Sequence, residues 1–111
     1  MSNATRDAAN GAAERLLLRA LCRTETSGTL RGTMLGALAA HQFVEPEHEV
    51  VFGALRDLQS VGRVATQARM EEMLLRRGFP DLDLAGYFAP TGRAITLTEI
   101  SDALRAIGHS N

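Results

Sequence analysis

Apolar positions along the chain recur at intervals of three and four residues in nearly every segment, and no stretch alternates apolar with polar residues over the length of a β-strand. This period predicts an all-α fold, a compact bundle of five to six short helices. Leu17, Ala20 and Leu21 lie on one face of a first helix over about Gly11 to Arg23, and Leu18 widens the stripe. The polar stretch Thr24 to Thr29, which contains Gly28, supplies the next turn. Leu30, Met34, Ala37 and Leu38 fall in register on a second helix over about Leu30 to Ala40. Gly32 and Gly36 each cost that helix about 1 kcal/mol relative to Ala, so it depends on packing.

The third helix is the clearest. Pro46 suits a first-turn position, where its missing N–H costs nothing, and Glu45, Glu47 and Glu49 complement the positive end of the helix. Val51, Ala54, Leu55 and Leu58 form its stripe, and it should end near Gly62. Thr66 then caps a fourth helix that turns Met70, Met73 and Leu74 inward, carries Arg76 and Arg77 in its last turn and stops at Gly78. Asp81 to Phe88 predicts a short helix with Leu82, Leu84, Tyr87 and Phe88 apolar, broken by Pro90-Thr91-Gly92. Thr96 and Glu99 form a capping box for a last helix bearing Leu97, Ile100, Leu104 and Ile107. Residues 1–10 are expected to be a disordered N-terminal segment and residues 11–111 a single helical domain, without internal repeats.

Composition narrows the function classes. Lys plus Arg number 12, all of them Arg, against 13 Asp plus Glu, for a formal net charge of −1. No field draws in polyanions, so direct nucleic-acid binding is expected to be weak or absent. Cys22 is the only cysteine, so no internal disulfide forms and a thiolate zinc site lacks its other ligands. No apolar run approaches the roughly 20 residues that span a bilayer, and the first residues lack the charged-then-apolar order expected of a signal peptide. A soluble, cytoplasmic protein without a membrane partner is expected.

Chemistry finds few footholds. A phosphate-binding loop needs a Lys, and the chain has none. His41, His48 and His109 lack the one-turn spacing of a helical zinc pair. His41 and His48 can approach each other across the turn into the third helix, with Glu45 or Glu49 adding oxygen, but the simpler reading has His48 hydrogen-bonding locally in the first turn. No metal and no cofactor are expected. Glu71 with Glu72, and Asp81 with Asp83, read as solvated faces or caps. Ser27, Ser60 and Ser101 have no nucleophile-elbow glycines, Cys22 sits on an apolar helix side as an inert thiol, and Met34, Met70 and Met73 read as core. No catalytic residue is assigned and the chain is not expected to be an enzyme. Arg69, Arg76 and Arg77 on the fourth helix leave a small helix-turn-helix-like DNA-binding regulator as the alternative, against which stand Glu71, Glu72 and the balanced charge.

One segment carries more. His41-Gln42-Phe43-Val44-Glu45-Pro46-Glu47-His48-Glu49-Val50-Val51-Phe52-Gly53-Ala54-Leu55 resembles the signature of the N-terminal domain of DnaB-type replicative helicases: an acidic-Phe turn, Pro-x-His, then an aliphatic-Phe-x-Ala-aliphatic helix. Phe43, Pro46, His48, Val51, Phe52, Ala54 and Leu55 carry the likeness. Glu14 to Leu21 is similar to the first helix of that domain, and equally to the start of the helicase-binding C-terminal domain of DnaG-type primases, which shares the fold. The resemblance covers about Ala13 to Gly78. Helicases carry an acidic residue where this chain has Val64-Ala65-Thr66, Ala85-Gly86-Tyr87-Phe88 matches their Gly-Gly-x-x-Tyr-Leu helix in part, and Thr96 to Ile107 resembles the last helices of some primases. The resemblance implies a DnaB N-terminal-domain-like bundle without catalysis, a protein-protein interaction module coupling helicase and primase. Its partner would be a replicative helicase, a primase or a second copy of itself, docked helix on helix. Leu97, Ile100, Leu104 and Ile107 are the candidate partner-binding residues.

Overall fold

A computed structural model describes residues 3–23, 28–63, 66–79, 81–88 and 95–108, with side chains from Ala8 onward. The described residues form six helices and no strand: α1 (Asn3–Leu21), α2 (Gly28–Ala40), α3 (Pro46–Ser60), α4 (Gln67–Arg76), α5 (Ala85–Phe88) and α6 (Leu97–Gly108). None of them is long and apolar enough to cross a membrane. The radius of gyration, 13.5 Å, matches the roughly 13 Å of a packed chain of this length.

Helix α1 is the axis of the bundle. It packs against α2, α3, α5 and, most extensively, α6, while α4 rests on α3. Leu17, Leu18 and Leu21 are therefore all buried, a wider stripe than one neighbouring helix would need. The helix also starts earlier than expected: Asn3 to Asn10, predicted to be disordered, are its first turns. Ala4, Ala8, Ala9, Ala12 and Ala13 give this stretch high intrinsic helicity. Tertiary packing then holds it, because Asn10 is buried and the turn at Val44 and Glu45 lies directly over Gly11, where an added Cβ would touch both side chains. At the other end, the Arg31 guanidinium of α2 donates to the carbonyls of Leu21 (2.5 Å) and Arg23 (2.6 Å), satisfying acceptors that the end of α1 leaves open.

The local punctuation matches the sequence. Pro46 opens α3, the Thr66 hydroxyl accepts from the Arg69 amide at 3.2 Å, and Thr96 and Glu99 form the reciprocal capping box at 3.1 and 3.3 Å. Helices α3 and α4 close on Gly62 (φ 73°) and Gly78 (φ 88°), left-handed positions that favour glycine. In both, the amide after the glycine reaches back five residues, Arg63 to Leu58 and Phe79 to Leu74. The turn expected over Thr24 to Thr29 is shorter than that, since Gly28 and Thr29 already open α2; residues 24–27, the break at Pro90-Thr91-Gly92 and His109 lie outside the described residues.

Helix α6 corrects an expectation. Ile100 and Ile107, proposed as partner-binding, are buried with Ala103 against α1, and Leu104 is half-buried on the same core. Leu97, the first residue of α6, is 65% exposed. The apolar face of α6 is consumed in covering the leucines of α1, which would otherwise be wet.

Candidate functional site

Two residues singled out by the sequence, His41 and His48, meet at the junction between α2, α3 and α1. Glu14 lies in the apolar stripe of α1, one turn before Leu17 and Leu18, and its side chain is fully buried. Three donors surround it. His41 Nε2 meets Oε2 at 2.5 Å, the Val44 amide donates to the same oxygen at 2.8 Å, and His48 Nδ1 meets Oε1 at 2.9 Å. Either imidazole can present a ring N–H to the carboxylate oxygen it faces. His41 and His48 do meet across the turn, as the sequence allowed, but at Glu14, not at Glu45 or Glu49. The local hydrogen bond expected for His48 is replaced by one spanning 34 residues. The carboxylate, held by three partners and closed to solvent, acts as a clamp that ties the entry of α3 to α1. Among the described residues no group of three or more His, Cys, Asp or Glu side chains is placed to hold a metal ion.

A second tie lies beside the first. Tyr87 of α5 donates its hydroxyl to Glu47 in the first turn of α3 at 2.7 Å, and the Arg15 guanidinium sits 5.0 Å from the centre of its ring. Burial, and then the bond to Glu47, push the Tyr87 hydroxyl well above its ordinary pKa. Helix α3 is thus anchored at its N-terminus from both α1 and α5.

Held in this way, the segment His41–Phe43 and the outer face of α3 form one side of an open groove of about 610 Å³, closed on the other side by Arg77 and Phe79 beyond α4. Its α3 face carries Glu49, Phe52, Gly53 and Arg56, which follow one another at helical spacing. The Phe43 ring lies 5.3 Å from His41 and 5.5 Å from Phe52, and the Arg56 guanidinium lies 5.7 Å from the Phe52 ring centre. Arg77 pairs with Asp57, whose carboxyl is held below its ordinary pKa first by that hydrogen bond. Phe79 remains 43% exposed.

Of the signature residues, His48, Val51, Phe52, Ala54 and Leu55 are buried, Phe43 is half-buried and Pro46 is exposed at the start of α3. They build α3 and its junction, and only Phe43 and Phe52 also line the groove. Met34 and Met70 are buried and Met73 packs on the core. Glu71 and Glu72 take partners on their own helix, Gln67 and Arg76, as a solvated face does. Sequence reasoning missed Glu14. Its signal was a carboxylate at the 14, 17, 18, 21 spacing of a buried stripe, which demands a partner without saying which. No protein-family model, no curated protein and no solved structure matches this chain.

Proposed function

We propose that this chain is a non-catalytic protein-interaction module of the bacterial replication machinery, of the kind found at the N-terminus of DnaB-type helicases or the C-terminus of DnaG-type primases. One observation carries the reading: the segment that resembles the helicase signature, His41 to Leu55, contributes one wall of the groove, through Phe43 and Phe52 among the signature residues, and is clamped in place by Glu14. A recognition surface benefits from such rigidity, because less order remains to be imposed on binding. The docking surface is accordingly moved from α6, whose isoleucines are buried, to the face shared by α3 and the end of α4. For the DNA-binding alternative, α4 is poorly equipped, since Arg76 and Arg77 are engaged by Glu72 and Asp57 and Leu75 stands 62% exposed among them.

Sedimentation velocity of the protein with a hexameric replicative helicase, and separately with a primase, tests the reading. A co-sedimenting complex is expected with one of them at concentrations on the order of tens of micromolar, as for a small transient interface. Free sedimentation of both components in both mixtures rules it out.

A further inference from the structure

We infer that the groove between α3 and the end of α4 binds an amphipathic helix of a partner protein, one that places a bulky apolar side chain over Gly53 and a carboxylate at the Arg56–Arg77 end. The inference rests on the interaction reading above and specifies the chemistry of what is bound. Three features of the groove point to this occupant.

The first is Gly53. It lies in the middle of α3, where glycine costs about 1 kcal/mol relative to alanine, yet an added Cβ would meet only Arg77 Nη1, at an ordinary 3.7 Å. Internal packing therefore does not require the glycine. Its missing side chain keeps the groove floor open where another chain can approach the α3 backbone. The second is the apolar lining. Phe43, Val50 and Phe52 line the groove with Phe79, and Phe79 keeps much of its ring in water; an apolar side chain laid among them would remove that surface from solvent. The third is the order of charge along α3. Glu49 stands one turn before Gly53 and Arg56 about one turn after it, with Arg77 on the facing wall. Asp57 pairs with both arginines and offsets one of their two charges, so that end of the groove keeps one positive charge in excess. A carboxylate is favoured there and disfavoured at the Glu49 end, and the charges set the polarity of the bound helix as well as its sign. The wall from His41 to Phe43 is preformed by the Glu14 clamp.

Two synthetic amphipathic peptides of about 14 residues, long enough for helix formation on a surface, serve as probes. They share the same Leu and Phe positions, and one carries Glu at one end where its twin carries Lys. Backbone amide chemical shifts and fluorescence anisotropy are recorded at low salt. The acidic peptide should shift Gly53, Arg56 and Phe79, and bind at least about tenfold tighter than the twin, a difference of about 1.4 kcal/mol. Gly53→Leu should abolish binding, Arg56→Glu should reverse the preference, and Gly53→Ala, a folding control, should leave the thermal midpoint equal or higher. Equal binding of the two peptides, shifts elsewhere on the surface, or no shifts up to about 1 mM overturns the inference. So do concentration-dependent shifts of the same amides without peptide, which assign the groove to a second copy of this chain. Sedimentation with the helicase or primase separates the two claims. If the wild type and Gly53→Leu co-sediment equally well, the groove fails and the interaction reading stands; if neither co-sediments but the acidic peptide binds, the reverse holds.

Discussion

Glu14 holds the junction of α1, α2 and α3 together, because one buried carboxylate meets His41 Nε2, His48 Nδ1 and the Val44 amide. Removing it strands all three donors. Glu14→Ala should therefore cost about 3–5 kcal/mol, and Glu14→Gln, whose amide nitrogen would face a donor, about 1–3 kcal/mol. Urea unfolding curves measure both, and a near-neutral Glu14→Ala would show that the clamp does not hold α3. Cys22 supplies a pH-dependent counterpart. Burial pushes its thiol up from 9.0 to about 12, with Arg31 opposing the shift. The folded chain thus keeps the proton that the unfolded chain gives up. The resulting stability is complete below about pH 9 and is lost as pH rises towards about 12. A fall in the urea midpoint between about pH 9 and 11 is expected, shallower in Cys22→Ala, where the Tyr87 contribution of the same sign remains. The thiol should resist aromatic disulfide reagents in the folded protein and react fully in guanidinium. That Cys22 is a buried thiol was legible from its apolar helix side; Glu14 went unnoticed, although its place in the stripe carried the signal. Which partners it takes was not legible, since they stand 27 and 34 residues away.

Helices differ in how much of their fate is written locally. The caps at Thr66 and Thr96, Pro46 and the glycine stops at Gly62 and Gly78 each depend on residues no more than about five apart, and all were readable. For α6 the helix was readable but its allegiance was not. An apolar stripe serves equally to close a core or to dock a partner, and only the presence of α1 beneath it decides. Ile100→Ala and Ile107→Ala should each cost about 2–4 kcal/mol of stability, whereas Leu97→Ser should stay within about 0.5 kcal/mol, all by chemical denaturation. Comparable losses at all three positions would contradict the packing. Helix α4 stands at the other extreme, resting on α3 through Met70 and Leu74. Its amides should exchange with solvent faster than those of α1 and α3 in native-state hydrogen exchange, and uniform protection would refute that.

At the scale of the molecule, the first and last described helices lie against each other, so the bundle closes only when α6 arrives. A chain ended before Thr96 should uncover Leu17 and Leu18 and lose its sharp thermal transition, bind a hydrophobic dye and keep partial helicity by circular dichroism. A cooperative melt of that shorter chain would show that α6 is dispensable. The all-helical order of elements, the ends of α3 and α4 and the start of α6 followed from periods and caps, because helical structure is encoded by neighbours within a few turns; α1, α2 and α5 instead begin at Asn3, Gly28 and Ala85, not at Gly11, Leu30 and Asp81. Burial of Ile100 and Ile107, the folding of Asn3 to Asn10 into α1, the Glu14 clamp and the groove over Gly53 did not follow from periods and caps. Each of these depends on contacts between segments far apart in the chain, whose geometry no local pattern contains.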